Sequence, residues 1–148
     1  MSHAYPFSIT WNGDTLADPY SRDAVAASAG KSAIPVSSGA EYGGDDSRWN
    51  PEDLLGSALA TCHMLTFLAL CAKTRTAVLG YEDRAESVLD TVDKVTSIVE
   101  IHLRPTIRVA KGTDPAKVKE LFEKAHKYCF VANSIKSKVT MEPQVVEG

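Results

Sequence analysis

Residues 50–73, NPEDLLGSALATCHMLTFLALCAK, decide how this chain folds. Asn50 reads as an N-cap, and Pro51 takes the first helical position, where its missing N–H costs nothing. Glu52 and Asp53 complement the positive end of the helix dipole. From Leu54 to Ala72 no Asp, Glu, Lys or Arg interrupts the helix, a run that reaches the ~18 residues of a membrane span. Gly56, Ser57, Thr61, His63, Thr66 and two cysteines dilute its hydrophobicity, and its flanks lack interfacial aromatic anchors. The stretch therefore reads as a buried core helix. A helix apolar nearly all round needs cover on every side, which a chain of 148 residues has trouble supplying alone. A second copy is the natural cover, so a homodimer is expected, with this helix at or near the interface.

Length favours one domain over residues 1–148, burying roughly two thirds of its unfolded surface. A hydrophobic fraction of 44%, charged residues at 24% and a net charge of −3 are ordinary for a soluble protein. No basic face points to nucleic acid. The start, MSHAYPFSITWNGD, has neither the basic nor the apolar region of a secretory signal, which points to the cytoplasm, where thiols are kept reduced. Three scattered cysteines, Cys62, Cys71 and Cys129, make no disulfide framework, and no Cys-x-x-Cys pair has partners at zinc spacing. No metal or cofactor is expected.

Working outward from the helix, Phe7, Ile9 and Trp11 alternate with Ser8 and Thr10, a strand closed by the turn signal NGD at 12–14. Residues 15–48 are rich in Gly, Ser, Ala and Asp and read mostly as loop, with apolar pieces such as SAIPVS supplying one or two short strands. After Lys73, AVLGYEDRAESVLDT reads as a turn and one half-exposed strand. In SIVEIHLRPTIRVA, residues 97–110, Val99, Ile101, Leu103, Ile107 and Val109 share one parity and the polar residues the other, the mark of a half-buried strand with Pro105 at an edge or bulge. Asp114 and Pro115 open a second helix, with Val118, Leu121, Phe122, Ala125 and Tyr128 as its apolar stripe. Residues 130–143 then give a short helical turn and a strand with Val139 and Met141 inward. Strands, helix, strands, helix, strand is an α+β order without βαβ repeats.

Helix geometry separates two of the cysteines. Cys71 lies nine residues beyond Cys62, half a turn round and about 13 Å along the axis, too far for a disulfide, and reads as a core residue. Cys62 sits three turns from the helix start, beyond much help from the dipole, so a reactive thiol there needs a cation from elsewhere. On spacing alone it is equally a buried cysteine, and a meeting with Cys129 depends on the tertiary fold. His63 points about 100° away from Cys62 and reads as a packed or interface histidine. Trp49, Phe67, Tyr128 and Phe130 fit either a core or an apolar substrate pocket.

Two segments, RWNPEDLLGSALATCHM (48–64) and AHKYCFVANSIKSKV (125–139), resemble the signature segments of the OsmC/Ohr superfamily, the osmotically inducible and organic hydroperoxide resistance proteins. AYPFSITWNGD and PYSRDA are similar to the family's N-terminal strand and arginine loop, so the likeness covers nearly the whole chain. It is strongest to the OsmC-like branch whose first motif reads Cys-His-Met. Phe130 departs from the pattern, because proline commonly follows the second cysteine in the family. The resemblance implies an intertwined α+β homodimer, with long buried central helices packed against antiparallel β-sheets and two sites at the interface.

It further implies a thiol-dependent peroxidase acting on a small hydroperoxide, with Cys62 as peroxidatic and Cys129 as resolving cysteine. Arg22 of YSRDA and Glu52 of NPED would be the family's arginine and glutamate, with Arg48 as the competing arginine. No cofactor is implied; an external dithiol, or a lipoylated protein as in the Ohr branch, would restore the thiols. Glu52 lies ten residues from Cys62, about 15 Å along one helix, so its expected role at the thiol is across the dimer. The alternative is a non-catalytic dimer binding a small hydrophobic ligand, which would need neither cysteine nor Arg22 and Glu52. A cysteine hydrolase lacks a convincing base and oxyanion site.

Overall fold

The computed structural model describes residues 1–148. Two compact units divide it, Met1–Leu54 and Leu55–Gly148. In the first, strands β1 (Ser8–Trp11), β2 (Ala24–Ala27) and β3 (Ile34–Val36) form an antiparallel sheet in that order. Ser8 pairs with Ala27 and Trp11 with Ala24, while Ala24 pairs on its other side with Val36. The alternation at Phe7, Ile9 and Trp11 does give a strand. β3 lies in SAIPVS and β2 in the alanine-rich stretch before it, the two short strands that this mostly looped region is expected to allow; alanine carries little strand preference of its own, and pairing on both sides holds β2 extended.

Arg48 closes this unit. Its Nη1 donates to the Ala24 carbonyl at 3.1 Å, and its Nε lies 3.6 Å from carboxylate oxygens of both Asp23 and Asp45. The Ser37 hydroxyl donates to Asp23 Oδ1 and accepts from the Asp45 N–H. The Ser37 N–H donates to the Trp49 carbonyl at 2.9 Å, which delivers the chain to the start of helix α1 (Pro51–Lys73). There Asn50 Oδ1 accepts the Asp53 N–H at 2.8 Å and Asp53 Oδ2 accepts the Asn50 N–H at 3.1 Å, a reciprocal cap.

The second unit holds the rest of α1, strands β4 (Val78–Asp83), β5 (Glu86–Val92), β6 (Val95–Leu103) and β7 (Pro105–Val109), helix α2 (Pro115–Tyr128), and strands β8 (Lys138–Met141) and β9 (Gln144–Glu147). They make two three-stranded sheets, β4-β7-β9 and β5-β6-β8. Each expected single strand around the hairpin region is in fact two: the chain breaks at Arg84 and again at Arg104, and each break passes it from one sheet to the other. Pro105 has no N–H to continue the β6 ladder, which explains the second break. Arg104 pins it, donating its N–H to Asp83 Oδ1 at 2.8 Å and pairing with Glu86 at 2.9 Å.

The sheets are mixed rather than wholly antiparallel. α2 acts as a crossover, so β8 runs parallel to β6 and β9 parallel to β7. Glu100 pairs with Lys138 and Val109 with Glu147, the same separation of 38 residues in both sheets. The two ribbons break together, with the Glu142 N–H on the Leu103 carbonyl at 2.9 Å. The expected parity holds across the break, since Ile101, Leu103, Pro105, Ile107 and Val109 are all buried. It fails at Val99, where Val88 pairs with Glu100 but Leu89 with Ile98. Val99 is the extra residue of a bulge, so Ile98 turns to the core in its stead.

Within the chain α1 buries one stripe, Gly56, Leu59, His63, Phe67 and Cys71. The opposite face, with Ala58, Thr61, Leu65 and Ala69, is open, and Leu65 is 57% exposed. A helix of membrane-spanning length is thus a core helix with one face packed. Phe122 of α2 joins that stripe, its ring centroid 4.3 Å from His63 and 5.5 Å from Phe67. α2 packs Val118, Leu121, Phe122 and Ala125 as its spacing requires, capped by Asp114. Tyr128 is half exposed at the helix end, and Cys129 is the buried residue there.

Candidate active site

Cys62 lies midway along α1, half-buried, and Cys129 is the fully buried C-cap of α2. Folding brings them together as neighbouring free thiols. Their ionisation is pushed in opposite directions. Burial alone raises the Cys62 thiol, but the Val131 N–H, the Cys129 thiol, the Phe130 N–H and the Thr66 hydroxyl together outweigh it. Cys62 therefore ionises below the ordinary cysteine range. Burial raises Cys129, and the adjacent Cys62 sulfur adds to that by hydrogen bond and charge, against the N–H groups of Ala132 and Val131. Of the two sulfurs, Cys62 is thus the readier to ionise and Cys129 the readier to keep its proton.

Cys71 is a core thiol, raised by burial to about 11 despite Lys117 nearby. His63 does not serve the thiols as a base. It is fully buried on the stripe facing α2, with Nε2 donating to the Phe122 carbonyl at 2.8 Å and Nδ1 buried without a partner. Phe67 is core, stacked edge-on to Phe122, while Trp49 and Phe130 are exposed. Tyr128 lines an apolar hollow of about 540 Å³ shared with Leu70 and Leu121 and edged by Lys73 and Lys124, while Trp49 borders a smaller, polar recess of about 300 Å³ with Ser47, Arg48 and Asp53.

Arg22 and Glu52 belong to the N-terminal unit. The Arg22 guanidinium stacks over the Tyr20 ring at 4.0 Å and Nη1 donates to the Tyr20 carbonyl at 2.9 Å. Gly43, at φ 82°, lies against it, where an added Cβ would stand 2.9 Å from Arg22 Cζ. Glu52 is in the first turn of α1. Arg48, the competing arginine, is spent on Asp23, Asp45 and the Ala24 carbonyl.

The family model for OsmC-like proteins matches residues 44–144, well over half of the chain. The chain belongs to this family. A solved OsmC-like protein of unknown function from Vibrio cholerae is 28% identical, with a TM-score of 0.88 over 96% of this chain and 99% of that one. An organic hydroperoxide resistance protein from Elizabethkingia anophelis, 18% identical, shares the fold at a TM-score of 0.71 over 100% of both chains. The uncharacterized protein YmaD of Bacillus subtilis is 22% identical over 95% of this chain and 91% of its own length. The α+β fold of this OsmC-like chain is thus that of the OsmC/Ohr superfamily.

Two features of this OsmC-like site escape the motif reading. Thr66 was visible as a hydroxyl four residues from Cys62 on the same helix face, and its hydroxyl donates to the Cys62 carbonyl at 2.8 Å. The N–H groups of Phe130 and Val131 had no such signal, because side-chain identity does not reveal where a backbone donor points. They are among the groups that favour ionisation of Cys62, alongside the Cys129 thiol and Thr66.

Proposed function

We propose that this OsmC-like protein is a thiol-dependent peroxidase that reduces organic hydroperoxides with Cys62 as the attacking and Cys129 as the resolving cysteine. The opposed ionisation of the two adjacent thiols carries the reading. The Cys62 thiolate attacks the outer oxygen of R–O–OH, the O–O bond breaks, and R–O⁻ takes a proton and leaves as the alcohol. Cys62 is then a sulfenic acid. The Cys129 sulfur attacks the Cys62 sulfur, and the expelled hydroxide takes the Cys129 proton and leaves as water. An external dithiol, free or on a lipoylated protein, reduces the disulfide and is itself oxidised.

Arg22 serves as the guanidinium that polarises the departing oxygen, since Arg48 is already held by two carboxylates. The protein acts as a homodimer that covers the open face of α1. Glu52 stands about 15 Å from Cys62 along α1 and orients the arginine at the partner's thiol.

The test is consumption of cumene or tert-butyl hydroperoxide with a dithiol. Cys62→Ser should abolish turnover, Cys129→Ser should stall after the first oxidation, and oxidised wild type should carry a Cys62–Cys129 disulfide with Cys71 free. Equal rates in all three proteins end the peroxidase reading. Mixing Glu52→Gln with Cys62→Ser chains should restore activity only if Glu52 acts across the dimer.

A further inference from the structure

The apolar hollow at Tyr128 is built by both helices: Leu70, Lys73 and Thr74 at the end of α1, and Leu121, Lys124 and Tyr128 of α2. Spacings of three and four put the α2 residues on one side of that helix, and Leu121 to Tyr128 gives the hollow a length of about 10 Å. Its volume of about 540 Å³ falls within the roughly 300–1,000 Å³ of small-molecule sites. Leu70 stands eight residues beyond Cys62, about 12 Å along α1, so the hollow is a place apart from the thiols.

The charges around it have one sign. Lys73 and Lys124 are exposed, and neither enters an ion pair, although Glu120 and Glu123 lie on the same helix as Lys124. The Lys127 ammonium, 5.6 Å over the Tyr128 ring, is a third cation beside the hollow, in a chain whose net charge is −3. The carbonyls that end α1, which would repel an anion, are already taken. The Leu70 carbonyl accepts from the Thr74 N–H at 3.0 Å and from its hydroxyl at 2.9 Å, the Cys71 carbonyl from the Thr76 N–H at 2.8 Å, and the Ala72 carbonyl from the Arg75 N–H at 3.2 Å. A second copy of the chain seated here would bury two unpaired ammonium groups, at high cost. A ligand with an apolar chain and an anionic end meets both needs, since lysine stems extend an apolar wall while their heads stay at its rim. We propose that the hollow binds a medium-chain fatty acid, its hydrocarbon chain against Leu70, Leu121 and Tyr128 and its carboxylate between Lys73 and Lys124.

The test uses no peroxide, so it stands or falls apart from the peroxidase reading. In calorimetric titrations decanoate should bind one per chain, with decanol and acetate each at least about tenfold weaker. The double variant Lys73→Met, Lys124→Met keeps the apolar stems and should weaken decanoate about tenfold while leaving decanol unchanged. Added salt should weaken decanoate alone. In ¹⁵N-labelled protein, decanoate should shift the amides of Leu70, Lys73, Lys124 and Tyr128 and leave those of the open α1 face around Leu65 in place. Equal affinities for decanoate and decanol, an unchanged decanoate affinity in the double variant, or shifts centred on Leu65 overturn the proposal. So does a change of oligomeric state on adding decanoate in sedimentation velocity, which would give the hollow to a second copy.

Discussion

Acidification should unfold this protein partly through His63. The imidazole is fully buried, and its pKa is lowered from 6.5 to about 4 by burial, with the Phe122 carbonyl opposing and His126 assisting. In the unfolded chain the same ring takes its proton near 6.5. Between those values the unfolded state holds one more proton than the folded state, so stability falls as pH falls and is fully present above 6.5. A gap of about 2.5 units at ~1.36 kcal/mol each makes the full loss about 3 kcal/mol. The comparison is His63→Leu, which keeps apolar volume against Phe122 and removes both nitrogens, including the unpartnered Nδ1. Urea unfolding of both proteins from about pH 7.5 to about pH 4.5 should give curves whose difference changes by roughly 2–3 kcal/mol in favour of the variant toward acid. All other carboxylates and histidines are common to the pair and cancel to first order. Parallel curves would refute the burial argument.

The core and caps make further predictions. Phe122→Ala removes the ring that His63 and Phe67 pack on, and should cost about 3–5 kcal/mol by urea denaturation. Asp114→Ala loses the side-chain acceptor of the Ala116 N–H and should cost about 1 kcal/mol, with Asp114→Asn close to neutral. Cys71, raised to about 11, should resist iodoacetamide near pH 8 while Cys62 reacts, and should become alkylable only in denaturant.

How much of this was legible depends on the kind of information each feature needs. Both helices could be read to the residue at their starts, because Asn50, Pro51, Asp114 and Pro115 are local signals acting on the turns they cap. The strand parity from Ile101 to Val109 was equally plain, since one buried face imposes it. The sheet switches at Arg84 and Arg104 were hidden, as a two-residue corner keeps the same alternation on either side. Val99 misled because a bulge is set by the partner strand, β5. At the site the two cysteines came from motif likeness, and their meeting is a matter of tertiary folding. Of the groups that favour ionisation of Cys62, those of Phe130 and Val131 lie in the backbone, so no residue name announces them.

The paired breaks at Arg104–Pro105 and Glu142–Pro143 have a bearing on how the fold tolerates change. Both ladders beyond α2 keep one offset, so the two sheets share a single setting, like two gears on one shaft. Lengthening the connections on either side of α2 leaves that setting untouched. A one-residue insertion at either break shifts one ladder against the other and turns a strand's inward face to solvent in only one sheet. Gaps and insertions among relatives of this chain should accordingly gather around α2 and avoid both breaks.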